Sequence, residues 1–384
     1  MIRSKSNKLI RFLKKEPMLL LSLLAALAGL IITPPTPELL HDIDWRTLGI
    51  LLMMLCVLEG FKQENVLQPL VRLAGKLRSL TSLSLFLVFG VFFSSMFVTN
   101  DVSLLIFVPL TILLFRQGGR EKYILPVITL ENIAAVRGSL LTPFGSPQNL
   151  FLYGQAEIGL GRFLMHMLPL CLLSGLLLIC FVLIVCRKER HVPFCCKEDD
   201  AAPQKGSYRR LMYVGLFILV ILVIVTRTPL WPAALACVLA AVAAADRGLF
   251  AKVDYVLLST FLCFFVFSSS VARNPQIGGF LERSVAGNEY WWAIGLSQLI
   301  SNVPATIVLY PFSRNFAGLI YGADTAGLCS LIGSLASVIN FRIYVREYPG
   351  NGKAFLRTFT LISWAFFLLV VIPGLLLSRW DFFS

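Results

Sequence analysis

A chain of 384 residues that is 57% hydrophobic and only 14% charged, with a mean hydropathy of +0.79, is not a soluble domain, which would carry about 25% charge. It is an all-α polytopic membrane protein. The net charge of +13 would suit a nucleic-acid binder, but the placement of the basic residues, given below, removes that reading.

MIRSKSNKLIRFLKK at the N-terminus precedes an apolar run in which Ala26-Leu27-Ala28 has the form of a signal-peptidase site. Apolar sequence continues to Ile32, and the segment has a counterpart later in the chain, so it reads as a retained first helix. Apolar segments then fall at about 17–33, 46–60, 80–115, 122–155, 162–186, 211–226, 231–246, 254–272, 290–313, 325–345 and 356–378. A straight helical span needs about 20 residues. The run 80–115 is too long for one span, and Thr99-Asn100-Asp101 divides it into arms that each look short for a full one. Gly138, Pro143, Gly145 and Pro147 interrupt 122–155, and Ser301-Asn302-Val303-Pro304 breaks 290–313. Broken helices are tolerated at membrane depth only where they are buried in protein or line a cavity. Cys195-Cys196 and His191 lie in a polar loop with no standard zinc spacing, so no metal site is assigned. The other cysteines, Cys56, Cys171, Cys180 and Cys263 among them, read as small apolar core residues.

Treating 80–115 and 290–313 as hairpins that return to their side of entry leaves nine crossings. With the N-terminus inside, 26 Lys and Arg fall in inner loops and seven in outer ones, Arg137 alone lying at membrane depth. That bias is the positive-inside rule. The basic charge therefore reports topology, with the N-terminus cytoplasmic and the C-terminus outside, in a multi-pass plasma membrane protein of the bacterial inner membrane type. A pair of full crossings would give the same parity as a re-entrant hairpin.

The two broken regions resemble each other. TNDVSLLIFVPLT from Thr99 lies over SNVPATIVLYPFS from Ser301, and GSLLTPFGSPQNLFLY from Gly138 over CSLIGSLASVINFRIY from Cys329, pairing Ser146 with Ser337 and Asn149 with Asn340. Upstream, Asp44-Trp45 pairs with Asp254-Tyr255, and Pro17 with Pro232. An odd number of crossings separates the copies, so the second is inverted. The expected organisation is a first repeat over 1–186 (hairpin 80–115, broken helix 122–155), a cytoplasmic linker over 187–210, and a linking helix with the inverted second repeat over 211–384 (hairpin 290–313, broken helix 325–345). Inverted repeats with discontinuous helices in matching places point to a secondary transporter whose site lies at the repeat interface.

In FVTNDVSLLIFVPL, GSLLTPFGSPQNL, LISNVPATIVLYPF and CSLIGSLASVIN the chain resembles the ion transporter superfamily of citrate-transporter-like permeases, arsenite permeases, divalent anion symporters and certain sodium/proton antiporters. LLTPFGSPQNLFLY is most similar to its anion permease branch. The resemblance covers nearly the whole chain and implies a scaffold plus a transport domain that moves as an elevator. In the symporter branch each hairpin tip carries Ser-Asn-Thr. Here the tips read Thr99-Asn100-Asp101 and Ser301-Asn302-Val303, so the third hydroxyl is missing from both, with Ser103 and Thr306 as substitutes. That departure puts paired sodium sites in question and suits a proton at Asp101.

The expected substrate-binding set is Asn100, Arg137, Gly138, Ser139, Thr142, Gly145, Ser146 and Asn149 with Ser301, Asn302, Thr306, Ser330, Ser334, Ser337 and Asn340. Thr99, Asp101, Ser103 and Glu131 are the expected coupling-ion residues. Asparagine can offer an anion its N–H or a cation its carbonyl, new half-helices point free N–H groups at a ligand, and small residues let backbone approach it. Small residues also serve plain helix packing, and Asp101 can cap the helix that starts at Val102. Arg137 either binds an anion through a bidentate pair or neutralises Asp101 or Glu131. The expected function is secondary active transport of a small anion, a carboxylate or inorganic oxyanion, coupled to Na+ or H+ as in a symport. A Na+/H+ antiporter and an ion channel are the alternatives. No HExxH or GxSxG motif supports an enzyme. The expected partners are the small anionic substrate, the lipid bilayer and a second copy in a homodimer, with no nucleic acid and no cofactor beyond the coupling ion.

Overall fold

The computed structural model of the protein describes residues 17–33, 39–64, 66, 77, 79–156, 158–187 and 208–380. The basic N-terminal stretch, most of the linker, and Cys195, Cys196 and His191 lie outside the described residues. Every regular element among them is a helix. Lipid imposes this, because backbone groups there must find their hydrogen bonds within the protein.

Five long helices and one short one form a group. α1 (Pro17–Ile32) lies against α11 (Tyr255–Ala272), with Gly29 under Phe267 and Ser270. The short α2 (Leu39–Asp42) leads to α3 (Trp45–Gln63), which packs on α9 (Tyr208–Thr226) through Tyr213 and on α10 (Trp231–Ala245) through Trp231. α3 and α11 start alike. The side chain of Asp44 accepts the N–H of Thr47 at 2.9 Å and that of Asp254 the N–H of Leu257 at 3.0 Å, with the caps at φ −75°, ψ 80° and φ −77°, ψ 79°. The pairing of Asp44-Trp45 with Asp254-Tyr255 is thus a pairing of two identical caps.

The remaining helices hold the hairpins and breaks. α4 (Leu80–Val98) and α5 (Asn100–Gln117) turn on Thr99 and run back along each other, since Ser94 Oγ donates to Ser103 Oγ at 2.9 Å and Gly90 sits under the Phe107 ring. Both arms are longer than expected. At 19 and 18 residues and 1.5 Å per residue each reaches about 27–28 Å, close to the ~30 Å hydrocarbon thickness. The second hairpin, α13 (Glu289–Ile300) and α14 (Asn302–Leu309), has arms of 12 and 8 residues, too short to cross. α12 (Pro275–Val285) precedes it.

The first broken helix is α6 (Ile124–Ser139), an irregular stretch over 140–146, and α7 (Pro147–Gln155). Its counterpart is α15 (Phe316–Ala326), an irregular stretch over 327–334, and α16 (Leu335–Glu347). Two expectations are corrected here. The second broken helix begins at Phe316, not at 325: α15 has only 11 residues, 10 of them buried, and its length and the Asp324 within it keep the stretch from reading as part of a span. The register of the second match also moves by three residues, as the geometry of the breaks shows below. α8 (Leu160–Val185) and α17 (Gly352–Ser378) flank α6.

α6 is the centre of the molecule. Fourteen of its 16 residues are buried, Glu131, Asn132 and Arg137 among them. A helix buried all round that carries these residues must satisfy them inside the protein. That requirement positions the site.

Candidate functional site

The two hairpin tips share one backbone conformation. Thr99 stands at φ 69°, ψ 153° and Ser301 at φ 70°, ψ 159°. This region is nearly reserved for glycine and costs about 1–3 kcal/mol per residue, yet both residues carry a Cβ and Thr99 is β-branched. Beyond each tip the next N–H is held by an irregular stretch: Asn100 N donates to Gly145 O and Asn302 N to Gly333 O, both at 3.2 Å. The side-chain Oδ1 of Asn100 accepts the N–H of Asp101 at 2.9 Å, and that of Asn302 the N–H of Val303 at 3.0 Å. With each Oδ1 engaged by its own helix, Nδ2 is the end of each carboxamide left for another group.

These bonds set the register of the second break. Gly145-Ser146 corresponds to Gly333-Ser334, with Ser146 at φ −148°, ψ 150° heading α7 and Ser334 at φ −148°, ψ 138° heading α16. Asn149 Nδ2 donates to Ser139 O at 3.1 Å and Ser337 Oγ to Gly327 O at 3.5 Å, ten residues back in both cases. Ser146 therefore matches Ser334 and Asn149 matches Ser337; Ser337 and Asn340 are not their counterparts. Shared Ser and Asn residues three apart had drawn the sequence match out of register. In each half, then, two helix N-termini are held side by side: α5 with α7, and α14 with α16. Neither Ser146 nor Ser334 caps its helix with its side chain, which leaves the first N–H groups of both helices unclaimed by side chains.

Close approach at the breaks requires glycine. A Cβ on Gly145 would stand 2.5 Å from Ser139 O, one on Gly333 2.3 Å from Ala326 O, and one on Gly138 2.0 Å from Phe92 O. Gly138 thereby lets hairpin arm α4 rest directly on α6. Thr142 Oγ1 donates to Met96 O near the tip, so it fastens the irregular stretch to the hairpin.

The two broken helices are joined by four side-chain hydrogen bonds. Asn132 Nδ2 donates to Ser337 Oγ (3.0 Å), Asn340 Nδ2 to Ile128 O (2.7 Å), Arg137 Nη2 to Thr325 Oγ1 (3.2 Å), and Gln148 Nε2 to Asp324 Oδ1 (3.1 Å). Arg137 and Asp324 are both fully buried. Each feels the other's charge, yet they form no direct bond: Nε and Nη1 of Arg137, Oδ2 of Asp324 and Oε1 of Gln148 have no hydrogen-bond partner.

The other expected residues are distributed as follows. Ser139 Oγ donates to Val136 O, Thr306 Oγ1 to Asn302 O, and Ser103 Oγ to Thr99 O. Ser330 Oγ donates to Gln298 Oε1 at 2.7 Å and accepts from Gly333 N. Glu131 accepts from Thr111 Oγ1 of α5, and Asp101 is half-buried with its Oδ1 unpartnered, the charges acting on it being Asp254 and Lys62. Neither carboxylate pairs with Arg137, so the neutralising partner expected from the sequence is replaced by Asp324. Asp101 does not head its helix, which starts one residue earlier. His166 packs on Tyr321, whose hydroxyl donates to His166 O.

Asp324, Thr325 and Gln148 were missed. An Asp in the run FAGLIYGADTAGL carries the same signal as Asp101, and assigning that run to a loop hid it. Gln148 stood inside a stretch already singled out for its glycines and prolines.

A family model described as citrate transporter matches residues 12–319. The inner membrane protein YbiR of Escherichia coli is 30% identical over 350 residues, covering 86% of this chain and 89% of that one. An uncharacterized transporter, MJ0456, of Methanocaldococcus jannaschii is 29% identical over 330 residues, covering 85% and 87%. The crystal structure of the Alcanivorax borkumensis YdaH transporter aligns with a TM-score of 0.57 at 16% identity, over 94% of this chain and 96% of that one. At that identity the likeness is one of fold.

Proposed function

The chain belongs to the citrate transporter family, and we propose that it is a secondary active carrier of a small anion, a carboxylate or inorganic oxyanion, coupled to Na+ or H+. Membership and the relatives' names indicate a multi-pass membrane transporter rather than an enzyme. The anion is our reading, and one observation carries it: in both halves a hairpin tip and an irregular stretch hold two helix N-termini together, with an asparagine whose Oδ1 is engaged and whose Nδ2 is the available end. Paired positive dipole ends and N–H donors suit an anion and do not suit a cation. Arg137, fully buried near the end of α6, adds two unpartnered nitrogens. The substrate set is Asn100, Arg137, Ser146, Asn302 and Ser334, with Gly138, Gly145 and Gly333 admitting backbone.

The matched tips and breaks support two inverted repeats, a common feature of alternating-access carriers. In this reading the hairpins and broken helices form the moving body, α1, α3, α9, α10 and α11 form the scaffold, and the N-terminus is cytoplasmic. The buried carboxylates Glu131 and Asp324 with Asp101 keep a Na+/H+ antiporter as the second reading. Counterflow in proteoliposomes loaded with citrate, succinate, sulfate or phosphate tests the proposal. Saturable exchange of one of these labelled anions supports a carrier. Sodium–proton exchange without anion flux supports the antiporter, and large unitary currents contradict both.

A further inference from the structure

The buried centre between the two broken helices holds one cation and one carboxylate that sense each other's charge without bonding. Arg137 at the end of α6 donates to Thr325, and Asp324 at the end of α15 accepts from Gln148 through Oδ1 with Asn149 beside it, its Oδ2 left without a partner. A guanidinium has five N–H donors and a carboxylate about four acceptor positions, so both are far from satisfied. At zero exposure such groups are found with partners. An anion seated on Nε and Nη1 of Arg137 would complete the guanidinium, but it would also stand before the carboxylate of Asp324, and two negative charges in one buried site do not both persist.

We propose that Asp324 is the proton-coupling residue of the carrier: the anion and the Asp324 carboxylate compete for Arg137, and Asp324 takes up a proton when the anion binds. This rests on the anion reading above. The proton comes from water on the side to which the site is open. It adds to the free Oδ2, leaving a neutral carboxyl that still accepts from Gln148 through Oδ1. When the anion departs on the other side the proton leaves to that solution and the carboxylate again faces Arg137. One proton thus travels with each anion, and the site carries the same net charge empty and loaded apart from the anion's charge beyond one.

The surroundings isolate this exchange. Of the titratable groups around the pair, Tyr290 of α13, Cys171 of α8 and Cys329 lie near Arg137, and Tyr321, on which His166 of α8 packs, lies near Asp324; Glu289, at the start of α13, is engaged by Arg314 N. α7 presents only the neutral Gln148 and Asn149. α14 has no titratable residue, and those of α17, Lys353 and Arg357, lie in its first two turns. Asp324 is therefore the carboxylate closest in role to Arg137. Glu131 is turned to Thr111 of α5, and the charges near Asp101 are Asp254 and Lys62.

The test starts with the unmodified full chain in weakly buffered detergent solution with a pH-indicator dye, titrated with citrate, succinate, sulfate and phosphate. Uptake of about one proton per bound anion is expected, with the apparent Kd weakening toward tenfold per pH unit on the alkaline side. Binding with no proton uptake between about pH 5 and 8 overturns the proposal while leaving the anion reading intact. No binding of any probe overturns that reading and this inference with it. In proteoliposomes Asp324→Asn is expected to exchange anion with a Kd that no longer follows pH, to bind more tightly than the unmodified protein at pH 8, and to lose accumulation driven by a proton gradient. Retained proton-driven accumulation in Asp324→Asn, or a proton signal that disappears in Asp101→Asn but persists in Asp324→Asn, overturns it. Should Asp324→Asn fail to assemble, the dye measurement on the unmodified chain decides.

Discussion

Replacing Arg137 by Gln isolates the electrostatics of the buried centre. The substitution removes the opposite charge that Asp324 senses among the described residues and leaves that carboxylate fully buried with neutral neighbours, Gln148 donating at 3.1 Å. Asp324→Asn does the converse, leaving Arg137 with Thr325 at 3.2 Å alone. Breaking a buried pair from either side costs roughly 3–5 kcal/mol, because the survivor is uncompensated. The two charges here do not touch, so each single variant should fall near the lower end, about 3 kcal/mol. The double variant Arg137→Gln/Asp324→Asn places two neutral groups in the same space and should lose much less than the sum, with a coupling energy of at least ~2 kcal/mol. Equilibrium unfolding in mixed detergent micelles measures all four corners of the cycle. Additivity within about 0.5 kcal/mol would mean that the two charges do not sense each other, and the account of the centre would be wrong.

Three further outcomes follow from the geometry. Gly138→Ala places a methyl 2.0 Å from Phe92 O; α4 must move by more than about 1 Å, so the variant should lose about 1–3 kcal/mol together with most transport, and a variant with unchanged melting and flux would show that α4 is free to yield. Thr99→Gly and Ser301→Gly relieve positive-φ strain of about 1–3 kcal/mol each, offset by the ~0.5–1 kcal/mol that glycine loses in flexibility; melting should rise at both tips alike, and a fall at either would contradict the shared conformation. Asn302→Asp keeps the oxygen that accepts from Val303 N but replaces the Nδ2 donor with a negative oxygen. Anion affinity should fall at least tenfold in a binding titration, and a gain in anion affinity would argue that the tip receives a cation.

Much of the architecture was legible because lipid constrains it so strongly. Apolar runs of the right length located the helices, and polar triplets at Thr99 and Ser301 located both tips to the residue. The pairing of Asp44 with Asp254 succeeded because a helix cap is a local signal, carried by one side chain and the next few N–H groups. The register of the second break failed because irregular backbone has no periodicity to anchor it; Ser and Asn spaced three apart occur in both stretches, and the bonds from Asn100 and Asn302 to Gly145 and Gly333 cannot be read from residue order. Asp324 was lost for another reason. At 11 residues α15 is about half the length of a span, and Asp324 stands in its last turn, so neither length nor polarity marked it as a buried helix.

The central claim is secondary active transport of an anion. Its most direct measurement is the internal concentration of labelled citrate, succinate, sulfate or phosphate in proteoliposomes containing the unmodified protein under an imposed proton gradient. The account predicts that one of these anions accumulates above its external concentration and that the accumulation collapses when the gradient is dissipated. Equilibration of the anions to equal concentrations, gradient or not, or movement of none of them, would contradict it.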